Sequence, residues 1–425
     1  MKLLRTFSMA IILLLLMSQA ASAQEPQAKT PDYDAVKDFS ITSNPNGVWS
    51  YGWTQSLGSP LNLYTVTDTE SVPGMSAWLV SGTYYANPPY VAHNDMDKKV
   101  CPPGLHWCIP PTYLHLHPGQ NGELSVVRWT ASSSGKFLIQ GAFQGLDRGG
   151  PTTTDVHVLV NSTKSLLSGP ITSYRLPLRF QLRLRLSSGD TVDFLVGYGK
   201  DGSWNGDSTG VQFKVTRLGT EDWALPVSQA VSSPESPTSE YNALEDWSTA
   251  SNPNGVWSYG WVANLADPLN LYTVAETDLC IPGTSNWWKD ANCGLPVVGH
   301  NNTRKQICGG TWCVLPTYLG MHPGPNGEFS ILRWTAPATG NYFVEAAFIG
   351  TDWAYPTTTD VHVLINSTRS LLSGPITSYK LPLTFSVRVF LSTGDTLDLA
   401  VGVGYNHSYT GDSTSVRFAV KRLGP

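Results

Sequence analysis

Charge is scarce in this chain. Asp, Glu, Lys and Arg together make up 14% of 425 residues and nearly cancel, leaving a formal −5. A typical globular chain carries about 25%. No run of basic residues supplies phosphate contacts, so nucleic acid is not an expected partner. Long apolar runs are missing too. The run from Ala10 to Met17 is shorter than a bilayer span, so no membrane-crossing helix is expected. No stretch shows a 3.6-residue apolar period, which argues against amphipathic helices. No Gly-x-Ser-x-Gly elbow and no Cys–His pairing offers a nucleophile. No EF-hand spacing is present.

What the chain has is repetition. Asn44-Pro-Asn-Gly-Val-Trp-Ser-Tyr-Gly-Trp53 returns as Asn252-Pro-Asn-Gly-Val-Trp-Ser-Tyr-Gly-Trp261. Pro151-Thr-Thr-Thr-Asp-Val-His-Val-Leu-Val-Asn-Ser-Thr163 returns almost unchanged as Pro356 to Thr368, and Ser168 to Tyr174 as Ser373 to Tyr379. Two copies of one domain-sized module are therefore expected. Tandem duplication suits a binding or adhesive protein, because a tether raises effective concentration at a second weak site.

Residues 1–23 read as a secretory signal, with Lys2 and Arg5 before the apolar run and Ala21-Ser-Ala23 at the cleavage point. A polar lead covers 24–36, copy one 37–219, a Ser/Pro/Glu-rich linker 220–243 and copy two 244–425. The mature protein is expected outside the cell or in the periplasm. Its even number of cysteines fits an oxidising compartment. Cys101 and Cys108 align with Cys308 and Cys313, so each pair closes a loop within its copy, and Cys280 with Cys293 is peculiar to copy two. A zinc site at Cys101, His106 and Cys108 fails in the repeat, where no His separates Cys308 from Cys313.

Strand patterns dominate. Phe180-Gln-Leu-Arg-Leu-Arg-Leu186 alternates strictly, and Glu123–Trp129, Lys136–Phe143, Val156–Val160, Thr191–Val196 and Val211–Val215 are rich in β-formers. Ser134-Gly135, Ser188-Gly-Asp190, Gly202 and Gly206 punctuate them. The copies differ in length between Leu63 and Cys108, which reads as loop. An all-β fold of two tandem antiparallel β-sandwiches, each a jelly roll, follows.

The order "RWTA", "TDVHVLVN", "LSSGDTVDF" and "GDST" resembles a jelly-roll module of exported bacterial proteins, similar to non-catalytic carbohydrate-binding modules. The resemblance covers each copy nearly in full. It implies a galactose-binding-like sandwich, a structural calcium ion and a sugar site.

Candidate residues fall into three groups. Trp49, Tyr51 and Trp53 share one face of a strand, as do Trp257, Tyr259 and Trp261; they are either a stacking platform or core. Aromatics that differ between copies are better ligand contacts: Trp204, replaced by His407 or a neighbour; Trp353, standing where copy one has Arg148; and Trp287 and Trp288, read as a loop beside Cys280 and Cys293. His93 and His300, each followed by Asn, join them as hydroxyl-binding groups. Among the carboxylates, Asp207 and Asp412, in Gly-Asp-Ser-Thr, are the candidate calcium ligands. Asp155 and His157 share a strand face and could form half of a catalytic pair.

The expected function is non-catalytic binding of an extracellular glycan or polysaccharide. A structural or adhesive matrix protein, binding itself or other extracellular proteins, is the first alternative. A polysaccharide hydrolase or lyase using Asp155, His157 or Glu123 is the second.

Overall fold

The computed structural model describes residues 32–219 and 237–424, apart from Tyr85, Asn87, Gly150, Pro151, Ser173, Arg175, Pro356 and Ser378. The signal sequence and most of the linker lie outside the described residues. Apart from a single 3-10 turn, Gly404–Asn406, the regular elements among them are β-strands.

The alternation read in the sequence is used literally. Leu178, Phe180, Leu182, Leu184 and Leu186 point into the core, and the residues between them point out. Trp49 and Tyr51 are 2% and 0% exposed, so two of the three rings of the stripe are core, as are Trp257 and Tyr259. Trp53 and Trp261 are half-buried and pack against that core. The repeated Asn-Pro-Asn-Gly motif explains itself. Asn44 donates its amide to the carbonyls of Tyr51 and Tyr64 at 2.6 and 2.9 Å and accepts from the Tyr51 N–H at 3.0 Å. Asn252 does the same for Tyr259 and Tyr272. Both motifs pin the start of a core strand. A second repeated brace is the buried pair Arg128–Asp193, at 2.6 and 2.8 Å, and its counterpart Arg333–Asp398.

The two copies do not sit side by side as separate sandwiches. They share both sheets, each of 14 strands. In the first sheet, copy two supplies the path from Asn270–Leu271 through Trp257–Val262, Phe329–Thr335, Thr396–Gly402 and Asp360–Ile365 to Arg369–Pro375. That last strand pairs with Leu178–Leu186 of copy one, and the path continues through Gly135–Gly145, Thr209–Arg217, Leu114–His117, Tyr90–Asn94 and Met75–Leu79 to Val66–Asp68. The second sheet repeats this order with the copies exchanged, joined where Lys164–Ile171 pairs with Pro382–Leu391. The seam is thus a pseudo-two-fold contact.

Register at the seam is short: Arg179 faces Ser373, Phe180 faces Leu372, Leu167 faces Phe385 and Ser168 faces Thr384. The hydroxyls of Thr172 and Thr377, equivalent residues, meet on the axis. Leu167, Leu178, Phe180, Leu372, Leu383 and Phe385 belong to one continuous apolar core that contains residues of both copies.

Two boundaries shift. Asp32–Asp34, read as polar lead, is a strand on Thr209–Arg217, and Pro237–Asn242, read as linker, is its counterpart on Thr414–Leu423. The region 63–108, read as loop, contains the strands Val66–Asp68, Met75–Leu79 and Tyr90–Asn94. The length differences sit between strands. The Met75–Asn94 hairpin aligns with the shorter Thr284–Asn301, its 80–89 connection reduced to Ala291–Cys293 as the flanking strands lengthen. The Cys101–Cys108 loop aligns with the shorter Cys308–Cys313.

Because the sheets and core are continuous, calorimetry of the whole chain is expected to show one transition, not one per copy. A Cβ on Gly374 would lie 2.5 Å from Leu178 Cδ1 across the seam. Gly374→Val is therefore expected to cost about 1–3 kcal/mol, read from denaturant midpoints.

Candidate binding site in the second copy

The six cysteines form the three expected pairs, Cys101–Cys108, Cys280–Cys293 and Cys308–Cys313. The other sequence candidates separate into braces and surface groups. His93 stacks on Phe39 and bonds Asp95 at 2.7 Å; His300 stacks on Trp247 and bonds Asn302 at 2.7 Å. Both rings pack against the segment that leads into their copy. Trp204 is half-buried and meets the ring of His117 edge-on at 5.8 Å. Its counterpart is Tyr409, not His407, because Tyr409 makes the same contact with His322 at 6.1 Å.

Trp287 and Trp288 are not in a loop. They lie on the strand Thr284–Asp290, 5% and 4% exposed. Consecutive strand residues point to opposite faces. Trp287 enters the main core and donates its indole N–H to the Ser248 carbonyl at 2.9 Å, as Trp78 does to Ser40 at 2.8 Å in copy one. It is a structural residue, which corrects the sequence reading. Trp288 faces the other way, toward a third layer laid over the sheet, and donates its N–H to Glu276 at 2.9 Å.

This third layer is where the copies part. In copy one it is solid. Tyr84, from the long 80–89 connection, packs with Tyr90, Trp107 and His115, all 6% exposed or less. The Tyr84 hydroxyl and His115 Nδ1 lie 2.5 Å apart. Burial drives the phenol pKa of Tyr84 and Tyr90 well up and holds the His115 imidazole well down, so all three are neutral. In copy two the strand register places Gly320 where His115 stands and Val297 where Tyr90 stands. The connection that carries Tyr84 is cut short and strapped by Cys280–Cys293. Removing these rings opens a cavity of about 310 Å³. Trp288, Trp312, Met321 and Val297 give it apolar walls, with Asn286 and His322 as polar groups.

Two exposed aromatics, Trp353 and Tyr409, flank it. Trp353 is 56% exposed and donates its backbone N–H to the Thr311 carbonyl at 2.9 Å, beside the wall residue Trp312. Tyr409 sits against the wall residue His322. Tyr355 and Tyr405 stand exposed on the same two connections, before Asp360–Ile365 and Thr414–Leu423. Copy one has Arg148 and Lys200 where Trp353 and Tyr405 stand.

Asp207 and Asp412 are fully buried, but their surroundings do not fit calcium. Asp207 Oδ1 accepts from the Thr153 N–H at 2.9 Å and from the Thr153 and Thr154 hydroxyls at 3.2 Å. These are hydrogen-bond donors, whereas calcium needs six to eight oxygen ligands. Asp412 repeats the arrangement with Thr358 and Thr359. Among the described residues no group of three or more His, Cys, Asp or Glu is placed to hold a metal. Oδ2 of each carboxyl is buried without a hydrogen-bond partner. Burial outweighs the threonine bonds and pushes Asp207 up to about 7 and Asp412 to about 6.

The Asp155–His157 and Asp360–His362 pairs exist, at 2.7 and 3.0 Å. Asp155 also accepts from the Gly199 N–H at 2.7 Å and Asp360 from the Gly404 N–H at 2.8 Å, so both pairs tie one connection to the sheet. Glu123 is bonded within its own turn to Asn121.

No protein-family model and no curated protein matches the chain. Solved structures do match. The tandem CBM22-1–CBM22-2 domain of Paenibacillus barcinonensis Xyn10C is 7% identical, over 94% of this chain and 100% of that one, with a TM-score of 0.22. The ANX2 ectodomain from Arabidopsis thaliana is 11% identical over 78% and 89%, at 0.23. The Arthrobacter globiformis T6 isomalto-dextranase complexed with panose is 10% identical over 73% and 36%, at 0.20. At such scores the folds do not superpose as wholes, and no ligand follows from them.

The buried aspartates fix a pH dependence. A carboxyl whose folded pKa is raised gives stability that is full below its unfolded pKa and is lost as pH rises through the folded value. Asp207→Asn keeps the Oδ1 acceptor and removes the charge. Its melting temperature relative to wild type is expected to climb between about pH 4 and pH 7 and then level. A constant difference across that range would contradict the assignment.

Proposed function

We propose that this protein binds glycan, and that the third-layer cavity of copy two with its aromatic rim is the sugar site. The observation that carries this is the comparison of the copies. One framework holds a packed aromatic cluster in copy one and an open pocket in copy two, and two exposed aromatics flank the open one. A protein that kept the layer only for stability would gain by filling it, since an unfilled apolar cavity costs free energy roughly in proportion to its volume.

The pocket's chemistry suits a sugar. Its volume lies at the lower end of small-ligand sites, about 300–1,000 Å³. Indole faces of Trp288 and Trp312 offer surface to the apolar C–H face of a pyranose. Asn286 and His322 supply hydrogen bonds to hydroxyls. Burial holds the His322 pKa down, so it meets a ligand as a neutral imidazole. Trp353 and Tyr409 extend the surface toward solvent and give a second sugar unit something to rest on. Binding without turnover is the reading, because no nucleophile or acid–base pair is assembled at the cavity. The three disulfides suit an extracellular setting.

The test refills the pocket with copy one's own residues. Val297→Tyr with Gly320→His places rings where the equivalent backbone already carries them, and a Cβ at Gly320 meets nothing closer than Val314 Cγ1 at 3.4 Å. Titration of tryptophan fluorescence with a panel of neutral oligosaccharides is expected to saturate for one class in wild type. The refilled protein should keep its melting temperature and lose at least about tenfold in affinity, about 1.4 kcal/mol. Unchanged affinity after refilling, or no saturable binding in wild type, would refute the site.

A further inference from the structure

The small net charge of the chain hides a basic surface. On the strand Leu178–Leu186, Arg179, Gln181 and Arg185 lie at the outer surface, while Arg183 between them is buried. The register sets Arg185 opposite Lys136, and Gln181 opposite Gln140, which in turn faces Lys214. One outer sheet face of copy one therefore gathers four surface cations, Arg179, Arg185, Lys136 and Lys214, from three adjacent strands. Among the described residues the neighbouring strand adds the carboxylates Asp32 and Asp34, and Asp34 pairs with Lys214 at 3.5 Å. Alternate residues on a strand are about 7 Å apart and neighbouring strands about 5 Å, so the cations form a close two-dimensional array. Arg369 of copy two adds to it across the seam. Burial and the neighbouring Arg183 hold the Arg369 guanidinium pKa down to about 10, and burial with Arg185 lowers that of Lys136.

Copy two keeps an arginine at the position of Arg183, as the half-buried Arg388, but not the surface cations. Thr384, Phe390, Asn341 and Ala419 stand where copy one has Arg179, Arg185, Lys136 and Lys214, and Glu345 stands for Gln140. There Lys421 is paired with both Glu240 and Glu345. The basic face is a property of copy one, not of the fold.

The face is also shaped. A hollow of about 390 Å³ runs along Asp34, Lys37 and Lys214. A second, of about 500 Å³, crosses the seam to His362, Ser370 and Ser373. Arg179 and Gln140 line both, so the two hollows meet end to end. Such a trough suits an extended chain better than a compact anion. Lys37, Arg179 and Lys214 line it, with Lys136 and Arg185 outside it on the same sheet face. These cations are interleaved with amides and hydroxyls, including Gln140 bonded to Gln181 at 2.9 Å. Its only rings besides His362, Phe180 and Phe213, are buried in the core. It thus offers little for the base stacking that single-stranded nucleic acid uses.

We propose that this trough, on the outer sheet face of copy one and across the seam, binds a linear acidic polysaccharide through its carboxylates. The site is separate from the cavity of copy two, in residues and in ligand charge.

The test uses the full chain, with polygalacturonate as probe and a neutral galactan and single-stranded DNA as controls. The triple variant Arg179→Thr, Lys136→Asn, Lys214→Ala installs the residues that copy two already tolerates at the equivalent positions. Wild type is expected to retain polygalacturonate over galactan, with affinity falling as salt rises. The triple variant should bind at least about tenfold more weakly and with a shallower salt dependence. Trp353→Ala, and the refilled cavity variant, should leave this binding unchanged, which separates failure here from failure of the sugar cavity. No retention by wild type, or equal retention by the triple variant, would overturn the proposal. So would DNA bound as tightly as polygalacturonate through the same residues, which would mark a general polyanion surface.

Discussion

Backbone pairing across the seam is the constraint on which the rest of the structure depends. Each copy ends its two sheets on strands that would otherwise be open edges: Lys164–Ile171 and Leu178–Leu186 in one, Arg369–Pro375 and Pro382–Leu391 in the other. Open, apolar-faced edges invite pairing with any passing strand. Here each edge finds its counterpart in the other copy, and the same two contacts close all four. Gly169 and Gly374 make the approach possible, because a Cβ on either would strike Leu383 or Leu178. The duplication is therefore less a tether between two binding beads than an internal dimer, with a shared core and a fixed relation between its faces.

A rigid, symmetric frame lets the copies diverge where the frame does not need them. The Asn44 and Asn252 clamps, the Arg–Asp braces and the buried aspartates among threonines are alike in both halves, and all of them hold strands or connections in place. Within the main core the copies exchange one large apolar or aromatic residue for another, such as Phe194 for Leu399 and Leu116 for Met321, and the changes of chemistry fall outside it. Copy two gives up a ring cluster and acquires a pocket and exposed aromatics. Copy one keeps the cluster and places cations on its outer sheet face. The two halves thus present surfaces of different chemistry, an apolar concavity in copy two and a basic trough on copy one.

Much of the fold was legible in the sequence because its signals are local. Alternation in Phe180–Leu186, the Gly-rich turns and the matched cysteines each depend on residues close along the chain. The seam was not legible, since a repeat reveals that two modules are alike and nothing about which edges meet. Trp287 and Trp288 were misread as loop because neighbouring disulfide cysteines suggested irregular structure, while the strand sends one ring to the core and the other to the third layer. The cavity left a faint trace: His115 against Gly320 is visible in the repeat, but its meaning needs Tyr84 and Tyr90, which approach from other segments. The basic face was hidden for the same reason. Arg183 and Arg185 are polar positions of the alternating run, Arg179 lies just before it, and only the register adds Lys136 and Lys214.

The claim that the copies form one folding unit is tested most directly by amide hydrogen exchange at the seam. The account expects those amides that cross the seam at the register pairs Leu167–Phe385, Ser168–Thr384, Phe180–Leu372 and Arg179–Ser373 to exchange only with global unfolding, at the rate of core strands such as Thr191–Gly197 and Thr396–Gly402. Exchange at the seam that is much faster than in those core strands would mean that the halves part while each stays folded, and would contradict it.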